Sequence, residues 1–242
     1  VKRFFVVFLP LLLCLSASAG DPLSEKRFSG KAELAFVDTS GNTDVASISA
    51  KSDLALRLTE TLEGGWKFDV LYGEDGSVKT AESYSTALRL NYRISKRFFT
   101  GLAAGWAKDE FTGIDSRVFA GFSAGYRPVE SPPHTLKTEI GLDAVREEYT
   151  DGTDKDFPQS KIRVAYGFAF SEKNRFTQEV EYLQDLDRSV NYRVRSETAL
   201  IAAVNGILSL KTHYTVDYDN EPVPATLDDT DSVLGVTLVF NL

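Results

Sequence analysis

The chain has little of what usually holds an exported protein together or does chemistry. Of its 242 residues, one is cysteine, two are histidine, two are tryptophan and none is methionine. The single cysteine, Cys14, lies in the N-terminal apolar stretch, so no disulfide can staple the remainder. Two histidines and one cysteine exclude a His/Cys-spaced metal site, and no phosphate loop or nucleotide fingerprint is present. The formal charge is −8, a poor match for nucleic acid. Beyond the first twenty residues no apolar run reaches the ~20 residues of a membrane helix.

The N-terminus reads as a signal peptide over residues 1–19. Lys2 and Arg3 precede an apolar run from Phe4 to Leu15, and Ala17-Ser18-Ala19 forms an A-x-A cleavage site. Export is therefore expected, with a mature chain of residues 20–242 and a formal charge moved from −8 to −10 by the loss of Lys2 and Arg3.

What the chain has instead is alternation. At its end, Leu234, Val236, Leu238, Phe240 and Leu242 are apolar at every second position. Such a strand left in water would expose an apolar face and a free edge. Closing a barrel in a membrane removes both problems. Read with a period of two, the sequence from 28 onward divides into twelve such segments of roughly 10–14 residues, enough for tilted membrane strands of ~9–11. An even count suits a bacterial single-chain barrel. The expected fold is all-β: a transmembrane up-and-down antiparallel barrel of about 12 strands in one domain, residues 20–242.

The connections sort into two sets. With the N-terminus in the periplasm, the outer loops fall near 38–44, 74–81, 108–115, 147–157, 185–190 and 219–230. The periplasmic turns fall near 59–63, 95–97, 128–135, 171–174 and 205–206, with Asn205-Gly206 reading as a two-residue hairpin turn. Short periplasmic turns and longer outer loops are the usual asymmetry. Aromatics such as Trp66, Tyr92 and Phe98 near one end, and Tyr84, Trp106 and Tyr218 near the other, suit two interfacial girdles.

The alternate face is strongly charged, and it should line the lumen. Its candidate bases are Lys51, Lys67, Arg89, Arg93, Arg117, Arg127, Arg163, Arg193, Arg195 and Lys211. Its candidate acids are Asp53, Asp69, Glu139, Asp143, Glu179 and Glu181. Inside a narrow barrel these must pair or be hydrated, because an unpaired buried charge is costly. Pairing would give a charge-filled, rigid lumen. Hydration would give a thin water path with basic walls, favouring anions. Inward glycines and alanines on the fifth, sixth and eighth segments leave space for long arginines or for water.

Catalytic readings are thin. His213 shares a face with Ser209 and Asp217, but four-residue steps on a strand are ~13 Å each, far beyond the ~3 Å contacts of a Ser-His-Asp relay. The outer loops are acidic, and Asp151-Gly152-Thr153-Asp154 with Asp156 is their densest cluster. Its spacing fits no calcium-loop template, and solvation is the expected role.

Gly41-Asn42-Thr43, Tyr72-Gly73-Glu74, Lys79-Thr80-Ala81-Glu82, Tyr84 and Tyr92 form a set with Asp109, Phe111, Gly113-Ile114-Asp115, Arg117 and Gly125-Tyr126-Arg127. In these residues the chain resembles the YdiY-like family of salt-induced outer membrane proteins, a domain of unknown function, over about 28–242. The resemblance implies an outer-membrane barrel of a Gram-negative bacterium and carries over no catalytic residue and no cofactor. Leu242 stands where such chains most often end on an aromatic, with Phe240 two residues before. The expected role is structural or stress-related and salt-responsive, the alternative a narrow anion-preferring channel, and more remotely a hydrolase at the outer rim. The expected partners are outer-membrane lipid and lipopolysaccharide, the barrel assembly machinery and small ions, with no nucleic acid.

Overall fold

Backbone N–H and C=O groups in hydrocarbon have no water to bond, so a strand crossing a membrane needs a partner on both sides. The structure, a computed structural model, meets this by closure. It describes residues 27–39, 45–75, 78–223 and 225–242, with backbone alone at 36–39, 45, 46 and 111. The signal-peptide reading over 1–19 and the Gly41-Asn42-Thr43 stretch lie outside the described residues.

Twelve strands follow one another: β1 (Phe28–Thr39), β2 (Val45–Arg57), β3 (Leu62–Asp75), β4 (Val78–Arg93), β5 (Phe98–Asp109) and β6 (Ile114–Ser131). Then come β7 (His134–Tyr149), β8 (Asp154–Ala169), β9 (Asn174–Asp185), β10 (Tyr192–Ala203), β11 (Leu208–Asp219) and β12 (Thr230–Asn241). Each pairs antiparallel with its sequence neighbours, and β12 returns to β1 to close the barrel. At that seam Lys31 to Leu34 face Asn241 to Leu238, and the Leu242 N–H donates to the Gly30 carbonyl at 2.9 Å.

The alternation holds its phase. Away from the register shifts at strand ends, even-numbered residues face outward from β1 to β12: Ile140 is 62% exposed, Leu200 54% and Leu234 75%. These values suit a wall in contact with lipid rather than water. Polar atoms on this face find cross-strand partners. The Trp66 Nε1–H donates to Thr86 Oγ1 at 2.8 Å, and the Trp106 Nε1–H donates to Ser116 Oγ at 3.2 Å. Aromatic girdles form at both ends. Phe98 meets Tyr126 at 4.6 Å between ring centres, and His134 stacks on Phe168 at 4.9 Å, at the turn end. At the loop end Tyr192 lies between Tyr182 and Tyr218, at 5.8 and 5.9 Å.

Four connections differ from the sequence reading, and the first, 74–81, is strand at all its described residues, since β3 reaches Asp75 and β4 starts at Val78. The proline-rich 128–135 stretch is not a long turn: β6 and β7 run through it and leave Pro132 and Pro133 as the connection. Pro128 is accommodated because the β6–β7 register shifts between Tyr126 and Val129, and a bulge is where a residue without an N–H fits in a sheet. The 147–157 stretch is mostly strand, since β7 reaches Tyr149 and β8 starts at Asp154. Asn205-Gly206 lies within a four-residue turn, in which the Asn205 Oδ1 accepts from the N–H groups of Ile207 and Leu208.

The outward band of β7 predicts the cost of a lipid-facing charge. Ile140→Arg should lower folding stability in lipid vesicles by about 2–4 kcal/mol, the range for a midplane arginine. Denaturant titration of the vesicle-inserted barrel, with gel mobility before and after boiling, checks this. A change under about 0.5 kcal/mol would place that face away from lipid.

Candidate functional site: the charged lumen

Odd-numbered residues point inward, and the lumen they line is organised in tiers. The tier nearest the long loops centres on Glu147, the largest charged side chain with no solvent exposure. Arg117 from the neighbouring β6 pairs with its carboxylate. Arg193 reaches it from β10, across β8 and β9, at 2.5 Å. The Tyr149 hydroxyl donates to the other carboxylate oxygen at 2.5 Å. Arg117 also donates to Gln159 Oε1 at 2.5 Å, and Arg193 donates to Asp219 at 2.7 Å. Beside this tier Lys155 pairs with the buried Asp185, which also accepts from Asn191 Nδ2 at 2.9 Å. A carboxylate so enclosed is tolerable only with its charges matched and its lone pairs used, and both conditions are met.

The middle tier is built from pairs that cross strands. Lys161 lies 3.2 Å from Asp143. Arg163 grips Glu179 with two N–H groups, at 2.9 and 2.7 Å. Lys211 bridges Glu33 at 3.0 Å and Glu197 at 2.8 Å, and Lys51 approaches Glu197 from four strands away at 4.0 Å. Arg195 meets Asp217 at 3.4 Å. Glu181 sits in register with Arg163 and Arg195.

Cations dominate the tier near the short turns. Asp53 is shared by Arg89 at 3.3 Å and Lys67 at 3.7 Å. Lys137 meets Glu139 at 3.3 Å, and Arg127 meets Glu130 at 3.9 Å. Arg93 donates to the Glu60 carbonyl. Asp69, somewhat deeper, accepts from Ser85 Oγ at 3.2 Å.

Two of the inward glycines, Gly105 and Gly125, are filled by aromatic rings, while Gly101, Gly121 and Gly167 make room for polar side chains of neighbouring strands. A Cβ built on Gly125 would lie 1.9 Å from Phe99 Cζ, and one on Gly105 would lie 2.6 Å from Phe119 Cε1. The Phe99 ring, 2% exposed, in turn carries Lys137 at 4.6 Å and Arg127 at 4.9 Å from its centre. The ring adds cation–π stabilisation to the carboxylate partners that both cations already have.

All sixteen residues proposed from sequence lie on the inward parity, but the alternation alone did not reveal the most important one. Glu147, counted with the loop acids, is a buried strand residue. Lys155 reads from sequence as a loop cation rather than a lumen one, and Lys161 was not singled out. The signal was present, since Lys137, Glu139, Asp143 and Glu147 share one unbroken parity on β7.

The outer mouth carries a roof. The β5–β6 and β11–β12 connections stand on opposite sides of the ring, yet Gly113 (φ +77°) abuts the Val223 carbonyl so closely that a Cβ there would lie 1.5 Å from its oxygen. The β11–β12 connection therefore reaches across the mouth at Val223. It is tied on the way by Arg188 to Glu221 at 2.7 Å and by Asn220 Nδ2 donating to the Val190 carbonyl at 2.8 Å. The acidic 151–154 loop is used locally. The Asp151 carboxylate accepts from the Thr153 hydroxyl at 2.6 Å and the Thr153 N–H at 2.9 Å, which holds it below the usual carboxylate range. Asp154 and Asp156 face Arg146 at 3.6 and 3.7 Å. Among the described residues no His, Cys, Asp or Glu group is arranged to hold a metal ion.

A closed twelve-strand antiparallel barrel with an apolar outer wall and a charged interior defines the class: an outer-membrane-type β-barrel. The fold is similar to that of the COG4313 outer membrane channel from Pseudomonas putida F1, at 9% identity, covering 88% of this chain and 94% of that one, with a TM-score of 0.53. It is also similar to the KdgM porin, at 8% identity over 88% and 96% of the two chains, with a TM-score of 0.45. At such identities the likeness is one of fold. The chain belongs to the family described as "Protein of unknown function, DUF481", whose model matches residues 32–242. The "Uncharacterized protein YdiY" of Escherichia coli (strain K12) is 24% identical over 223 residues, 92% of this chain and 86% of that protein.

Glu147→Gln should destabilise the barrel by about 3–5 kcal/mol, the cost of leaving buried charge uncompensated, because Arg117 and Arg193 lose their common partner. Urea unfolding followed by tryptophan fluorescence measures it. A loss below about 1 kcal/mol would mean that water replaces the carboxylate at no cost.

Proposed function

We propose that this protein is an outer-membrane barrel of a Gram-negative bacterium, delivered there by an N-terminal signal peptide, with a structural or stress-related role that includes a response to salt. The observation that carries this reading is the Glu147 tier: a fully buried carboxylate joining β6, β7 and β10 across the lumen. A barrel designed for free passage has no use for such a tie beneath a roofing loop. Ion pairs of this kind hold the wall in one shape, and buried pairs are screened far less by salt than exposed ones. Such a wall keeps its shape when external ionic strength rises. Its partners on this reading are membrane lipid and lipopolysaccharide around the wall, the assembly machinery that inserts it, and small ions.

The reading is not enzymatic. His213 Nδ1 has no hydrogen-bond partner and the His213 ring packs against Gly235, while Asp217 is engaged by Arg195. No relay is assembled from them.

A second reading, a narrow anion-preferring channel, is favoured by a separate observation. The Nε–H groups of Arg89 and Arg175 are buried and unpartnered, and buried donors of this kind are normally satisfied by water. Both lie toward the short-turn end of the lumen, on walls five strands apart.

Planar-bilayer recording separates the two. The wild-type protein should show no conductance steps. Gly113→Val should displace the 220–229 connection, and it should still give no steps, because the Glu147 tier remains. Steps in the wild type would replace the structural reading by the channel. Anion preference that falls in Arg195→Glu would then place the path along β10, where Arg195 is the half-exposed lumen cation.

A further inference from the structure

The closing seam is shorter than the two strands that form it. β1 pairs with β2 along its whole length, from Phe28–Leu56 to Thr39–Val45. β12 pairs with β11 from Phe240–Leu208 to Thr230–Tyr218. Between themselves β1 and β12 pair from Lys31–Asn241 to Leu34–Leu238. The same register carried on would set Ala35 against Thr237, Val37 against Gly235 and Thr39 against Val233. Among the described residues none of these pairs forms. The loop-end half of the seam is an opening in the wall.

Exposure along β12 changes at the same place. Toward the turn end, buried Thr237 and Val239 alternate with exposed Val236 and Leu238. From Thr230 to Leu234 every residue is exposed. Leu234 on the outer face is 75% exposed and Val233 on the inner face 45%, so the lumen is open behind this part of the seam. Unpaired backbone is not tolerated in hydrocarbon, but water in the lumen reaches this edge from inside.

The space behind the opening is acidic. Glu181, Arg195, Asp217 and Asp231 form one row across β9 to β12, each in register with the next. Three carboxylates thus meet one guanidinium. Arg163 continues the row on β8, but it grips Glu179. Arg195 lies 3.4 Å from Asp217, while Asp231 makes no ion pair among the described residues. Like charges directly opposite on neighbouring strands repel, and a cation between Asp217 and Asp231 removes that repulsion. Deeper on the same face of β11, Thr215 and His213 are 4% and 6% exposed, and Thr215 Oγ1 and His213 Nδ1 have no hydrogen-bond partner. Polar groups buried in this way call for a partner that the barrel itself does not supply.

We propose that the loop-end half of the β1–β12 seam is a side entrance for a cationic amphiphile of the outer leaflet. Its ammonium head sits between Asp217 and Asp231, and its hydrocarbon chain leaves the wall past Leu234 and Val236. The inference rests on the outer-membrane reading. It does not rest on conduction, because the path joins the lumen to lipid and needs no passage along the barrel axis.

The test uses the full-length barrel refolded in phosphatidylcholine vesicles. The probe is a dodecylammonium ion with a photoactivatable diazirine beside the nitrogen, and dodecanol with the same diazirine is the neutral control. Mass spectrometry reads the cross-linked positions. The cationic probe should label 213–217 and 231–235 roughly fivefold more than the neutral one, the scale of one opposite-charge pair. Both probes should label the outer wall at Ile140 alike. Asp231→Asn should remove most of the difference at 213–217 and 231–235 and leave Ile140 labelling unchanged. It should also keep the heat-dependent gel mobility, since Asp231 has no ion pair to lose. Asp154→Asn, which removes an exposed acid facing Arg146, should label as the wild type does. Equal labelling of 213–217 and 231–235 by the two probes overturns the proposal, as does an Asp231→Asn variant that labels as the wild type does. Labelling confined to Ile140 and other outward residues closes the entrance and leaves the membrane barrel standing. A barrel unlabelled even at Ile140 overturns both.

Discussion

Everything in this molecule depends on the pairing of β12 with β1. In hydrocarbon an open sheet edge has no solvent to satisfy it, so eleven well-formed strand pairings would not make a viable wall without that twelfth closure. The seam is short, with Lys31 to Leu34 against Leu238 to Asn241, yet it fixes what the other ladders leave free. Once β1 and β12 meet, the ring has one circumference, the phase of the alternation is locked, and the odd-numbered residues between the register shifts are committed to the interior. A single-residue slip anywhere would turn a charged face into lipid. The four register shifts, at 73/74, 107/109, 114/116 and 126/129, all lie toward strand ends, where a change of phase exposes little.

Commitment of so many charges to one confined space then decides the lumen. The interior has two solutions for a cation, and it uses both. Some reach a carboxylate on a distant strand, as Arg193 reaches Glu147 and Lys51 reaches Glu197. Others lie on a ring that a facing glycine has made room for, as Lys137 and Arg127 do on Phe99. The second solution accounts for Gly105 on β5 and Gly125 on β6, which make room for Phe119 and Phe99. A side chain at Gly125 would overlap Phe99 itself, and the cations above that ring would lose their support.

Much of this was legible in the sequence because a period of two is a rigid code. Strand count, direction, wall and lumen faces follow from parity once the phase is known, and parity survives errors of a residue or two at strand ends. What parity cannot give is height and partner. Glu147 was assigned to a loop because acids crowd 147–156 and a loop is the cheapest place for them. In the structure the β7–β8 hairpin continues past the apolar band, and only the unbroken odd series on β7 betrays it. Cross-lumen pairs such as Lys211 with Glu33 depend on tilt and stagger around the whole ring, a long-range property that no local window contains. The proline-rich 128–135 stretch misled for the opposite reason: proline is a strong local signal for a turn, and the bulge at Pro128 is a tertiary way of keeping it in a strand.

The two ends of the barrel have been given different electrostatics by the same rule. Near the loops, acids such as Glu147, Asp185 and Asp219 are numerous enough to take up every arginine and lysine that reaches them, and the surplus negative charge lies outside in the loops, where water solvates it. Near the turns, the strands supply more cations than carboxylates, and the turns are too short to bring in acids from elsewhere. Charge left over at a solvated loop costs almost nothing. Charge left over inside a wall does cost, unless water or an anion answers it. An imbalance kept on the inside, at the open end, is therefore harder to explain as packing than one kept on the outside. It makes cations such as Arg93, Arg175 and Lys31, which have no ion pair among the described residues, the part of this lumen least accounted for by holding the barrel together.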